Sequence, residues 1–118
     1  MQQIVSIADS YAYRPMVRQV YTHSVFRPHL GRATDPSEVA AGLAAARTVL
    51  GALERLVAPP DSPRWEPNLA DLHLAPLMGY FAGAAEGNAL LATYPRLAAW
   101  FATMAAREAY RATEPRLP

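Results

Sequence analysis

The side chains best equipped to hold a ligand gather near the start of the chain: Asp9, Ser10, Tyr11, Tyr13, Arg14, Arg18 and Gln19. Arg14 and Arg18 are four residues apart, one turn on a helix, so their guanidinium groups leave from one face. Such a pair can bind a carboxylate through charge-assisted hydrogen bonds, and with tyrosines beside it can hold an aromatic ligand. The same residues also fit a solvated arginine pair over packed tyrosines, and the pattern leaves both readings open. Elsewhere the chemistry thins out. His23, His29 and His73 do not share a helix face at metal-ligand spacing. His73 lies beside an apolar stripe and reads as a structural histidine with a hydrogen-bond partner. No serine sits in a nucleophile elbow, and no glycine-rich loop follows a strand. We therefore expect no catalytic constellation, no metal site and no cofactor.

Around these residues the chain is organised by the stretch Asn68 to Phe81. Asn68 is a good helix N-cap, because its side-chain oxygen can accept from an unpaired N–H in the first turn. Asp71 can reach back to the Asn68 N–H, completing a capping box, and puts negative charge at the positive end of the helix dipole. Leu72, Leu74, Leu77, Met78, Tyr80 and Phe81 follow, apolar almost all round, which predicts a helix buried among others. Pro76 should bend it. Ahead of it, a helical pattern runs from the first residues to about Phe26, with its apolar stripe changing face near Pro15. Ile4, Ile7, Ala8 and Tyr11 line up before the change; Tyr13, Met16, Val17, Val20 and Tyr21 do so after it. A second helix starts at Asp35-Pro36, with Glu38 expected to complete a capping box. Its seam of Val39, Leu43, Ala46, Leu50, Leu53 and Val57 ends at Ala58-Pro59-Pro60. A proline-rich loop to Pro67 should fold Trp65 back onto the bundle. After the central helix, broken at Gly83 or Gly87, come a short helix near Ala89 to Thr93 and a last one from Pro95 to about Tyr110. In the last, Leu97, Trp100, Phe101 and Met104 face inward. There is no alternating strand pattern and no internal repeat, so the fold class is all-α, a bundle of about five helices in a single domain, 1–118.

Composition agrees. Twenty-four of the 118 residues are alanine, which favours helix and close packing. The net charge of +1 is dispersed without like-charge runs, so neither nucleic acid nor an anionic membrane is implied as a partner. All 11 basic residues are arginine. With no cysteine there are no disulfides or thiolate metal sites, and a cytoplasmic location is expected. Charged residues interrupt every apolar run before it could span a membrane, and the first residues lack a signal-peptide pattern.

Two segments resemble a known family. Asn68-Leu69-Ala70-Asp71, then Leu72-His73-Leu74-Ala75-Pro76 and Tyr80-Phe81, is similar to the central helix of the C-terminal domain of glutathione S-transferases, whose capping box usually opens with Ser or Thr. Tyr94-Pro95-Arg96-Leu97, Trp100, Met104 and Arg107 resemble the Tyr-Pro-x-Leu-x-x-Trp-x-x-x-Met-x-x-Arg segment that follows in that family. Glu108 stands where relatives often carry Pro, so the last helix is expected to run on smoothly.

The resemblance implies half of an enzyme. In the family, the helix matching residues 4–26 forms one wall of the electrophile pocket and can touch glutathione bound to the other subunit of a dimer. Tyr13 and Arg14 are then substrate-binding candidates, and Asp9 and Ser10 candidates for the cross-subunit glutathione contact. The thioredoxin-like half that binds glutathione and activates its thiol is not in this sequence. A helical pattern reaching residue 1 leads us to expect more chain, or a separate partner half, in front of it. The implied role is to supply the hydrophobic electrophile wall and a homodimer surface, inactive alone, with glutathione as co-substrate only if a thioredoxin-like half is present. The alternative is a non-catalytic protein-interaction module of the same fold; a truncated gene product without function is a third.

Overall fold

Residues 2–29 form one unbroken helical rod whose winding changes along its length. The computed structural model describes residues 2–57 and 67–113. The rod begins as α1 (Gln2–Ile7), loosens into π-wound segments π1 (Ala8–Ala12) and π2 (Arg14–Phe26), and tightens again as α2 (Arg27–His29). At the end of π2 the Arg27 N–H reaches the Thr22 carbonyl, five residues back. The Thr22 hydroxyl donates to the Val17 carbonyl across the same interval, at 2.9 Å. This winding matches the core pattern. Ala8, Ala12, Met16 and Val20 are all fully buried, and they recur every four residues. On an α-helix each such step overshoots a full turn by about 40°, so three steps would carry the stripe about 120° round the rod. A wider turn rotates less per residue and offsets that overshoot.

The two expected stripes are only partly covered within this chain. Tyr11 and Tyr13 lie outside the core, at 67% and 45% exposure. The spacing that assigned them assumed α winding throughout.

Helix α3 (Pro36–Leu56) packs along π2. Its cap is Asp35, but the partner differs from expectation. Asp35 Oδ1 accepts from the Ser37 N–H at 2.9 Å and from the Ser37 hydroxyl at 2.6 Å. Glu38 does not close a capping box, because its Oε2 accepts from Gln19 Nε2 on the rod, at 3.0 Å. Ala46, Leu50, Leu53 and Val57 are buried along the seam, and Leu43 packs at its edge. Gly42 sets how closely the two helices approach. A Cβ there would lie 2.7 Å from Gln19 Cβ and 2.8 Å from the Pro15 carbonyl oxygen. The helix ends at Leu56 with Val57 as an extended cap, two residues before the expected stop at Ala58. Trp65 and most of the proline-rich loop lie outside the described residues.

Helix α4 (Leu69–Gly83) carries the capping box in full: Asn68 Oδ1 accepts from the Asp71 N–H at 3.0 Å, and Asp71 Oδ2 accepts from the Asn68 N–H at 2.8 Å. Ala70, Leu74, Ala75, Met78 and Phe81 are buried. The helix is not sheathed all round, however. Leu69, Leu72, His73 and Pro76 share an exposed face, with Leu69 at 66% and Leu72 at 55%. The helix runs through Pro76 without interruption. The carbonyl that Pro76 leaves unpaired is that of Leu72, on the same wet face, so water can reach it.

Helix α5 (Ala85–Leu91) starts earlier than expected, directly after α4. Gly87 is obligatory in that turn, because a Cβ would lie 2.0 Å from the Phe81 carbonyl oxygen. Helix α6 (Pro95–Ala105) has Pro95 in its first turn and no side-chain cap from Tyr94. Glu54 of α3 takes that role, its two oxygens accepting from the N–H groups of Arg96 and Leu97 at 3.0 and 2.7 Å. Leu97, Trp100 and Met104 are buried, with Phe101 at the edge of the core. The smooth run towards Tyr110 is not observed. α6 ends at Ala105, the Arg107 N–H turns back to the Met104 carbonyl, and α7 (Glu108–Thr113) follows as a separate turn. Tyr110 still meets Phe101 edge to face, with ring centres 6.1 Å apart. The five expected helices are thus the rod, α3, α4, α5 and α6, with α7 split from the last. No strand occurs among the described residues, and none of their helices is long and apolar enough to cross a membrane.

The box gains a long-range partner in Trp100, whose indole N–H donates to Asp71 Oδ1 at 2.9 Å. Asn68→Ala should cost about 0.5–2 kcal/mol, the usual range for losing an N-cap. Asp71→Ala should cost more, because it also strands the indole N–H of a buried tryptophan, a loss of about 1–3 kcal/mol. The double variant should fall well short of the sum. Urea denaturation of the three variants checks this; additive costs, or none, would contradict it. In the same assay Gly42→Ala should cost about 1–3 kcal/mol, the usual penalty for forcing volume into a packed contact.

Candidate functional site

The loosened rod and the first turn of α3 form a groove lined by Tyr13, Arg14, Arg18, Gln19, His23 and Glu38, with a volume of about 420 Å3. That lies within the ~300–1,000 Å3 typical of small-molecule sites. Four of the six, Tyr13, Arg14, Arg18 and Gln19, are residues the sequence singles out. The structure brings them to one opening. His23 and Glu38 were missed. His23 comes from two turns further along the rod, and Glu38 from a different helix, where local spacing gave it another role.

Each polar group in the groove has a definite state. Glu38 is occupied by Gln19, as described, and also sits in the first turn of α3, where the helix dipole favours a carboxylate. His23 Nδ1 accepts from the Asp35 N–H at 3.1 Å, which ties the groove rim to the α3 cap. Arg14 and Arg18 are exposed, and neither makes a hydrogen bond or ion pair among the described residues. Tyr13, half exposed, completes the lining.

Asp9 and Ser10 do not join this groove. Asp9 Oδ1 pairs with His73 Nε2 of α4, both groups substantially exposed. His73 is therefore partnered, as expected, but on the surface. Ser10 is exposed one residue further on. Beside the pair lie the uncovered Leu69, Leu72 and Pro76.

Two other hollows flank the rod. One, of about 380 Å3, is almost wholly apolar and lies between the rod and α3, lined by Ile7, Tyr11, Ala45, Thr48, Val49 and Ala52. The other, of about 400 Å3, is reached past His23 and contains the Ser24 hydroxyl, which donates to Glu86 Oε2 of α5 at 2.9 Å. Ser24 is thereby committed to a carboxylate. On α4, Tyr80 meets Tyr21 edge to face at 4.8 Å, and burial together with that neighbour pushes the Tyr21 hydroxyl pKa up, away from any acid role near neutrality. No group of three or more potential metal ligands occurs among the described residues. The arrangement can hold a small polar or aromatic molecule, but it contains no activated nucleophile.

No protein-family model matches the chain, and no curated protein does. Among solved structures, the chain is similar to glutathione S-transferase III in its apo form, with a TM-score of 0.80 and 24% sequence identity. The match covers 99% of this chain and 55% of that one. The chain spans about half the length of that enzyme. At this identity the likeness establishes the fold, the all-helical bundle of the glutathione S-transferase C-terminal domain, in agreement with the two sequence segments.

The cap beside the groove has a testable pH signature. The hydrogen bonds from Ser37 hold the Asp35 carboxyl below its ordinary value of 3.8. Because the folded pKa is depressed, the stabilisation is fully present above that ordinary value and disappears as pH falls through the lower, folded one. The stability difference between parent and Asp35→Ala should thus be constant from neutrality down to about pH 4 and shrink in stronger acid. Chemical denaturation across that range checks it, and a difference that grows on acidification would contradict the assignment.

Proposed function

We propose that this domain is the electrophile-binding portion of a glutathione transferase and is inactive by itself. The observation that carries this reading is the groove: in a bundle of the transferase C-terminal fold, Tyr13 and Arg14 line one opening, where a guanidinium group unpaired among the described residues lies beside an aromatic ring. In this reading Tyr13 and Arg14 contact the electrophile. Asp9 and Ser10, on the rod's other exposed side, reach glutathione held by a second subunit of a homodimer. Asp9 does so while anchored by His73, which fixes its carboxylate in place.

The chemistry explains why the domain needs a partner. Conjugation requires a thiolate, and a free thiol near pKa 8.5 is only a few per cent ionised at neutral pH. A catalyst must therefore place a donor against the sulfur and fix the charged tripeptide in one pose. Neither duty is met by Tyr13 and Arg14. A second, thioredoxin-like portion, on this polypeptide or another, supplies both. The uncovered Leu69, Leu72 and Pro76 favour a second reading as well, a non-catalytic interaction module. A helix with an apolar outer face in a small domain marks a contact surface.

With purified chain we expect no conjugation of a chromogenic electrophile above the uncatalysed rate and no calorimetric heat of glutathione binding. Saturable turnover lost on Arg14→Gln or Tyr13→Phe would overturn the half-enzyme reading and mean that the domain had built its own site. For the surface, sedimentation should show self-association at micromolar concentrations, weakened by Tyr11→Glu or Leu72→Glu. A strictly monomeric parent would contradict the dimer.

A further inference from the structure

The groove contains a charge imbalance that its own residues do not resolve. Arg14 and Arg18 stand one turn apart, and like charges at that spacing repel by about 0.2–0.5 kcal/mol. The one carboxylate lining the groove, Glu38, is turned to Gln19 at 3.0 Å and forms no ion pair with either arginine among the described residues. His23 contributes no negative charge, and its Nδ1 is engaged with the Asp35 N–H. Two guanidinium groups therefore line one opening, with no partner among the described residues. Planar guanidinium forks match carboxylate oxygens in geometry as well as charge. Tyr13, which lines the same groove, is half exposed and has an aromatic ring to offer.

We infer that the groove binds a small aromatic carboxylate, its carboxylate held by Arg14 and Arg18 and its ring laid against Tyr13. This deepens the electrophile-wall reading above and rests on it for the location, but it adds a ligand class: an anion with a flat apolar body. Glu38 limits affinity. Its charge opposes the incoming carboxylate at the short range of the groove, and the hydrogen bond from Gln19 holds it in position. Removing that charge while keeping an acceptor for Gln19 should therefore strengthen binding.

The test uses cinnamate as the probe and cinnamide, the neutral molecule of the same shape, as its control. Binding to the purified chain is followed by side-chain NMR of the arginine Nε–H groups and the Tyr13 ring. Cinnamate should shift Arg14, Arg18 and Tyr13 signals saturably, with cinnamide at least about tenfold weaker, a difference of about 1.4 kcal/mol. Arg14→Gln and Arg18→Gln should each weaken cinnamate about fivefold or more, while Arg55→Gln, far along α3, leaves it unchanged. Glu38→Gln should tighten it about two- to fivefold. Unchanged thermal melting of the exposed-arginine variants separates loss of binding from loss of fold. If cinnamide binds as well as cinnamate and shifts Tyr13, the anion inference falls while the wall reading stands. If neither probe shifts Tyr13 or the two arginines, both fall. Equal loss with Arg55→Gln would reduce the effect to general charge and also overturn the inference.

Discussion

One carboxylate, that of Asp71, closes the start of α4 and ties it to α6. Its Oδ2 accepts from the Asn68 N–H and its Oδ1 from the Trp100 indole N–H. The first bond satisfies a backbone donor that every helix leaves orphaned at its start. The second gives the largest fully buried side chain among the described residues its only polar requirement. Because the carboxylate's position is set by local helix geometry, the tryptophan is aimed by the cap. Trp100 in turn lies among the buried residues contributed by the rod, α3 and α4.

A second acid works by the same logic at the start of α6. Glu54 caps that helix from α3, and Arg96 reaches back to the Val57 carbonyl at 2.7 Å. The Tyr94 hydroxyl donates to the Arg47 carbonyl at 3.1 Å, adding a third link between the two helices. The start of α6 is thus closed from across the fold, whereas those of α3 and α4 are closed within their own first turns. These bonds fix where α3, α4 and α6 stand, and the rod packs on the surface they make. The groove exists because Gly42 lets the rod come close to α3, which places Glu38 within reach of Gln19 and leaves the arginines outward.

What could be read from the residues was local. The Asn68–Asp71 box was legible because both partners lie within one turn, and the Asp35 cap for the same reason. Glu38 was misassigned because a competing partner, Gln19, is 19 residues away in sequence and invisible to spacing. The break after Ala105 was missed since nothing in its composition forbids a helix there. The four-residue period of Ala8, Ala12, Met16 and Val20 was present all along, yet α spacing sorted those residues into two stripes together with Tyr11 and Tyr13, which the fold leaves exposed. In the groove, Tyr13, Arg14, Arg18 and Gln19 came from one segment and were found together. His23, Glu38 and the Asp9–His73 pair needed the fold.

The most direct test of this account is hydrogen exchange at a single proton, the indole N–H of Trp100, compared with the Asp71 backbone N–H. If the carboxylate links the two helices as described, both protons should open only with the whole domain, and their exchange free energies should match the global unfolding free energy from denaturation. Exchange of the Trp100 indole at close to the rate of a free tryptophan, while the Asp71 amide stays protected, would show that the cap and the core are separate and would contradict the account.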